Sequence, residues 1–119
     1  MKVIIAGGRD FEDVPLMKGS FGSLCGLLQQ PLSPVEVVSG GARGADACGE
    51  YVASEVFLPV KVFPADWGKH GKSAGYIRNS EMADYADVLL AFWDGKSKGT
   101  KHMIDLALKK GLLVKVVRY

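Results

Sequence analysis

Val35-Glu36-Val37-Val38-Ser39-Gly40-Gly41-Ala42-Arg43-Gly44-Ala45-Asp46 opens as a β-branched run, breaks into a glycine turn and continues as a helix pattern. Without a Cβ, Gly40, Gly41 and Gly44 can take positive φ and let a ligand approach the backbone. The helix that follows begins with unpaired N–H groups and a partial positive charge, which favour a phosphate or a carboxylate. Arg43 adds a planar fork of donors suited to anionic oxygens. Asp46 either caps the helix or accepts ribose hydroxyls. The same residues also suit a plain strand-to-helix turn with a surface arginine, so the motif alone does not decide between ligand and connector.

The pattern repeats on both sides of this stretch. Lys2 to Ala6 is a short apolar run ending in Gly7-Gly8-Arg9-Asp10-Phe11. Asp13 near a cap and Pro15 in a first turn then start a helix. Val14, Met17, Phe21, Leu24, Cys25 and Leu28 form its buried face. Gly19, Gly22 and Gly26 each weaken that helix by about 1 kcal/mol relative to alanine, unless they permit close packing. Gln29 to Pro34 reads as a loop.

After the Gly40 turn, Ala45, Cys48, Gly49, Val52 and Val56 give an amphipathic helix whose small residues suit close approach to a sheet. Pro59 ends it, and Val60 to Phe63 is a third strand. Pro64 to Asn79 is a long polar-aromatic loop, with a helix expected between Ser73 and Tyr85. Asp87 to Trp93 is an almost continuously apolar strand, as expected for a parallel strand covered on both faces. Asp94 to Thr100 is a further glycine turn. Ile104, Ala107 and Leu108 then mark a helix face, Gly111 a helix end, and Leu113 to Val117 a fifth strand.

Strands alternating with helices imply a Rossmann-like, doubly wound parallel α/β sheet of order 3-2-1-4-5, one domain over residues 1–119. Ligands of such sheets sit beyond the carboxyl ends of the strands, near the point where strand order reverses. Gly7-Gly8-Arg9, the Gly40–Gly44 turn, the Asp66–Asn79 loop and the Asp94–Thr100 turn would gather there.

Composition narrows the functional classes. The chain has 119 residues, 48% of them hydrophobic, which argues against disorder. No apolar run approaches ~20 residues, so no membrane span is expected, and the first residues read as a strand, not a signal peptide. Cys25 and Cys48 fall at apolar helical positions, which suggests reduced, buried thiols and a cytoplasmic setting. His70 and His102 lack metal-ligand spacing with any cysteine, so no metal is expected. Net charge is only +2, yet eight of the 15 basic residues flank putative turns: Arg9, Arg43, Lys69, Lys72, Arg78, Lys96, Lys98 and Lys101. That placement favours a small anionic ligand over a broad nucleic-acid face.

Gly7-Gly8-Arg9-Asp10-Phe11, Gly40-Gly41-Ala42-Arg43-Gly44-Ala45-Asp46, Pro64-Ala65-Asp66-Trp67, Gly71-Lys72-Ser73-Ala74-Gly75 and Arg78-Asn79 stand in this order along the chain. Together they resemble the YspA-type branch of the SLOG superfamily, over nearly the whole length. The resemblance implies a Rossmann-like module that binds a nucleotide or nucleotide-derived ligand as a sensor or carrier, with no cofactor required. The ligand residues it implies are Gly7, Gly8, Arg9, Gly40, Gly41, Arg43, Gly44, Asp46, Trp67, Lys72, Arg78, Asn79, Gly95, Ser97, Gly99 and Thr100. Trp67 and Tyr76 either stack on a base or form a lid over the sheet edge.

Related LOG phosphoribohydrolases carry Pro-Gly-Gly-x-Gly-Thr-x-x-Glu with a catalytic glutamate. The similar stretch here runs through Gly99-Thr100 to Met103, which stands where the carboxylate would be. An enzymatic alternative is therefore a nucleotide hydrolase drawing on Asp10, Asp46, Asp66 or Arg78. DNA binding, known for another relative, is the weaker alternative, because no basic tail or continuous basic helix face is present. A homodimer or higher homo-oligomer is compatible with the sequence, which fixes no oligomeric state.

Overall fold

The computed structural model describes residues 1–28 and 35–119. The loop expected over Gln29–Pro34 lies outside them, as does the side chain of Leu28. Five strands, β1 (Lys2–Gly7), β2 (Glu36–Ser39), β3 (Val60–Val62), β4 (Val88–Trp93) and β5 (Leu113–Arg118), form one sheet of order β3-β2-β1-β4-β5. Every pairing is parallel; Val3 lies opposite Val37 on one side and Val88 on the other. The expected order and direction are both observed.

The central strands are apolar because helices cover both faces. Val3, Ile5, Val37, Leu90 and Phe92 pack with α1 (Val14–Leu28) and α2 (Ala45–Glu55). Ile4, Ala6, Val38, Leu89 and Ala91 point the other way, onto α4 (Ala74–Tyr85) and α5 (Lys98–Lys109). The alternation along β1 is the period-two geometry of a strand, here apolar on both sides. On the edge strand β3, by contrast, Val60 and Val62 are exposed.

Local sequence explains most boundaries. The Asp13 carboxylate accepts from the Leu16 N–H at 3.0 Å and caps α1. The long loop divides into α3 (Trp67–His70), a 3₁₀ turn at Gly71–Ser73, and α4. Asp66 caps α3, its carboxylate accepting from the Lys69 N–H at 3.0 Å. Cys25 and Cys48 are free thiols but only half-buried, short of the full burial expected. Burial pushes both thiols up.

Two helix faces differ from the periodicity. α2 stops at Glu55, so Val56 is a C-terminal cap exposed to solvent, and Ala53 takes the inner position. On α5 the buried set is Thr100, Met103, Ile104 and Ala107. Leu108 sits about 100° around the helix from Ala107 and is exposed. Counting only apolar residues missed Thr100, whose hydroxyl is held by the Ser97 hydroxyl at 3.1 Å.

The helical glycines divide by what surrounds them. A Cβ on Gly19, Gly22 or Gly26 would meet nothing within 4 Å, so these residues do not serve close packing. A Cβ on Gly49 would lie 2.8 Å from Ile5 Cγ2, because α2 presses directly on β1. Urea denaturation is therefore expected to show Gly22→Ala stabilising the fold by about 0.5–1 kcal/mol. Gly49→Ala should destabilise it by about 1–3 kcal/mol through overpacking. Equal effects of the two substitutions would contradict this packing.

Candidate functional site

Three strand-end turns meet at one peptide. The Gly8 N–H donates to the Phe92 carbonyl at the end of β4 (3.2 Å). The Gly8 carbonyl accepts from the Phe11 N–H (3.2 Å) and from the Ala45 N–H that opens α2 (3.1 Å). Gly44, at φ +79°, makes this approach possible, since a Cβ there would run into the Gly8 carbonyl and the Arg9 backbone. The first N–H of α2 is thus committed to protein and not to an anion. Asp10 steadies the same loop by accepting from the Tyr119 hydroxyl at 2.6 Å, while Tyr119 packs edge-on against Phe11.

Beyond this junction lies a cleft of about 780 Å³ at the carboxyl edge of the sheet. Of the residues singled out by sequence, Gly7, Gly8, Arg9, Asp10, Arg43, Asp46, Trp67, Lys72, Arg78, Asn79, Ser97, Gly99 and Thr100 line it. Gly40, Gly41, Gly44, Gly95 and Asp66 do not. Gly41 donates its N–H to the Ser39 hydroxyl at 3.1 Å, and that hydroxyl donates to Glu50 at 2.7 Å, so β2 and α2 brace the turn from behind. Gly95 takes φ +85° in the turn after β4, facing the Arg118 guanidinium. Asp66 is occupied capping α3.

Arg78 and Asp46 meet beneath the cleft. Arg78 reaches from α4 across the strand ends, Nη1 donating to the Gly40 carbonyl at 2.6 Å and Nε to Asn79 Oδ1 at 3.2 Å. Burial lowers the Arg78 pKa, opposed by the Asp46 charge and assisted by Arg9. Asp46 is 5% exposed. It does not cap α2; one oxygen accepts from the Ala42 N–H at 3.3 Å, folding back onto the turn before its own helix. Burial pushes its carboxyl from 3.8 to about 6, against the pull of the Ala42 N–H and of Arg78, with Glu50 adding to the rise.

Asn79, also buried, ties α4 to the start of α5. Its amide donates to the Gly99 carbonyl at 3.4 Å and faces His102 Nδ1 at 3.2 Å. The Asp94 carboxylate accepts from the Lys96 and Ser97 N–H groups, each at 2.8 Å, and Trp93 Nε1 donates to the Ser97 carbonyl at 3.1 Å. These bonds fix the turn that delivers Ser97, Gly99 and Thr100 to the cleft. Met103, 1% exposed, and Met82 form apolar floor, so no carboxylate stands at position 103.

Sequence reasoning missed Glu12 and Met82 as lining residues, because loop geometry and helix phase place them, not motif; Asp94 lines the cleft with the turn that it opens, as expected. Four cations share the cleft with four carboxylates, but the two sets are not equally engaged. Asp10, Asp46 and Asp94 accept hydrogen bonds from protein, whereas Arg9, Arg43 and Lys72 have no ion-pair partner among the described residues. Among those residues no three His, Cys, Asp or Glu side chains gather to hold a metal ion. Nor is any helix long and apolar enough to cross a membrane.

The raised Asp46 carboxyl makes a stability prediction. The folded chain holds this proton more tightly than the unfolded chain, so ionising it costs the fold. That cost is absent below about pH 4 and complete above about pH 6. The offset between 3.8 and about 6 corresponds to about 3 kcal/mol at most. Asp46→Asn, of equal size and neutral, should therefore raise unfolding stability at pH 7.5 by about 1–3 kcal/mol. Urea titrations at pH 7.5 and pH 4 check this: the gain should shrink at the lower pH. A variant less stable than wild type at pH 7.5 would refute the assignment.

No family model matches the sequence. The Gene 61 protein of Mycobacterium phage D29 is 39% identical over 119 aligned residues, spanning 95% of this chain and 93% of the phage protein. Such identity over nearly the full length of both proteins cannot arise from a shared βα motif alone, and the chain belongs to the family of that phage Gene 61 protein.

Proposed function

We propose that the protein binds a nucleotide or nucleotide-derived ligand in the carboxyl-edge cleft, as a sensor or carrier of the SLOG type. The carrying observation is the conjunction of Arg9 and Arg43, exposed and without an ion-pair partner among the described residues, with the Ser97–Thr100 start of α5 in one cleft at the strand-order reversal. Cations and a helix N-terminus converging there suit a phosphate. Arg78 is the less available cation, since two of its nitrogens already hold the Gly40 carbonyl and Asn79. The phosphate contact therefore falls to Arg9 and Arg43 first.

One observation favours an enzymatic second reading. Asp46 is a buried carboxyl at about 6 on the cleft wall, the kind of shifted group that acid–base chemistry employs. Against it stands Met103, which supplies no charge to an oxocarbenium-like centre. The binding reading takes precedence for that reason.

Calorimetry with adenosine, guanosine and cytidine monophosphates should detect binding, weakened about tenfold or more in Arg43→Ala or Arg9→Ala through loss of a charge-assisted contact. Arg78→Ala should both weaken binding and lower the unfolding temperature, because it also releases the Gly40 turn. Chromatography of the same mixtures should show no released base. Absence of binding across the panel would overturn the reading. Base release abolished by Asp46→Asn would establish the hydrolase instead.

A further inference from the structure

Two large aromatic side chains of the cleft belong to neither hydrophobic core. Trp67, from the first turn of α3, is 53% exposed, and Tyr76, from the first turn of α4, is 46% exposed. Both line the same cleft as Arg9 and Arg43. Neither packs against a buried core cluster, so the hydrophobic interior does not account for their positions.

Both rings are nonetheless held. The Trp67 Cη2 atom lies 3.7 Å from where a Gly75 Cβ would stand, so the indole lies beside the second residue of α4. Tyr76 meets the His102 ring edge-to-face, centroids 4.4 Å apart and planes at 64°. His102 is in turn fixed by Asn79, whose amide faces Nδ1 at 3.2 Å and also binds the Gly99 carbonyl. Burial lowers the His102 pKa, outweighing the opposing Asp105 charge. That direction favours the neutral ring, whose Nδ1 can accept from the Asn79 amide in the tautomer protonated at Nε2. A chain of contacts thus runs from the start of α5 through Asn79 and His102 to the Tyr76 ring.

Ordering exposed aromatics at a polar, cationic cleft is worthwhile where a flat partner lies against them. Rigid rings lose little conformational freedom on contact and offer a π-face to any base. We infer that Trp67 and Tyr76 form a stacking bay for a planar aromatic ring carried by the ligand, with Tyr76 positioned by His102. The inference rests on the phosphate-binding reading above and sharpens it. The ligand is a phosphate bearing a nucleobase, as opposed to a sugar phosphate alone. Base identity is set weakly by such a bay, because every base presents a π-face.

Calorimetry on the intact protein compares adenosine monophosphate, cytidine monophosphate and ribose 5-phosphate. Both nucleotides should bind about tenfold or more tightly than ribose 5-phosphate. Trp67→Ala and Tyr76→Ala should each weaken the nucleotides about 5-fold to 100-fold while leaving ribose 5-phosphate unchanged. Trp67→Phe and Tyr76→Phe should keep most of the affinity. Quenching of tryptophan emission by adenosine monophosphate should disappear in Trp67→Phe. Ribose 5-phosphate binding as tightly as the nucleotides would overturn the stacking bay and leave phosphate binding intact. Equal losses for all three ligands in the alanine variants would make the rings structural and also overturn it. Binding of none of the three by wild type would overturn both readings.

Discussion

The cleft depends on the Gly8 peptide group. Its N–H and carbonyl together bind the end of β4, the beginning of α2 and the loop that returns to α1. Backbone groups at strand ends need partners once they are removed from water, and here three turns satisfy one another around a single peptide. This requires backbone-to-backbone approach, so glycine stands at position 7, where a Cβ would strike the Phe92 carbonyl, and at position 44, where it would strike Gly8. The cationic side chains of Arg9 and Arg43 follow directly from turns fixed in this way. A glycine-rich sequence usually read as ligand-seeking is here first a device for closing the fold.

Around that junction the molecule accepts local instability. Asp46 is buried with no ion-pair partner within bonding distance among the described residues, although the Arg78 charge favours its ionised form. A buried carboxyl in this setting weakens the fold at neutral pH, the reverse of a structural salt bridge. Arg78 is also partly desolvated, yet its bond to the Gly40 carbonyl ties α4 to β2 across the sheet end. The two residues brace the cleft from opposite helical layers. Such an arrangement suits a site where charge must be ready before a ligand arrives, since polar groups held in place need little reorganisation.

Much of this was legible in the sequence. β-branched runs ending in glycine turns, with helical spacing between them, determined the strands, the parallel α/β class and the gathering of loops at the carboxyl edge, because right-handed crossovers leave few alternatives. The capping role of Asp13 and the close approach of Gly49 were also local properties. Tertiary structure alone decided which turn residues face the cleft. Gly40, Gly41 and Gly44 carry the motif but support it from behind, because the Gly8 carbonyl occupies the first N–H of α2. Asp66 and Asp46 look alike in sequence, yet one caps a short helix and the other is buried beside Arg78. Leu108 and Val56 matched the apolar period and are nevertheless exposed, because helix phase and length are fixed by what the sheet can cover. The Asn79–His102–Tyr76 chain joins side chains from two helices, and sequence spacing carries no information about contacts between them.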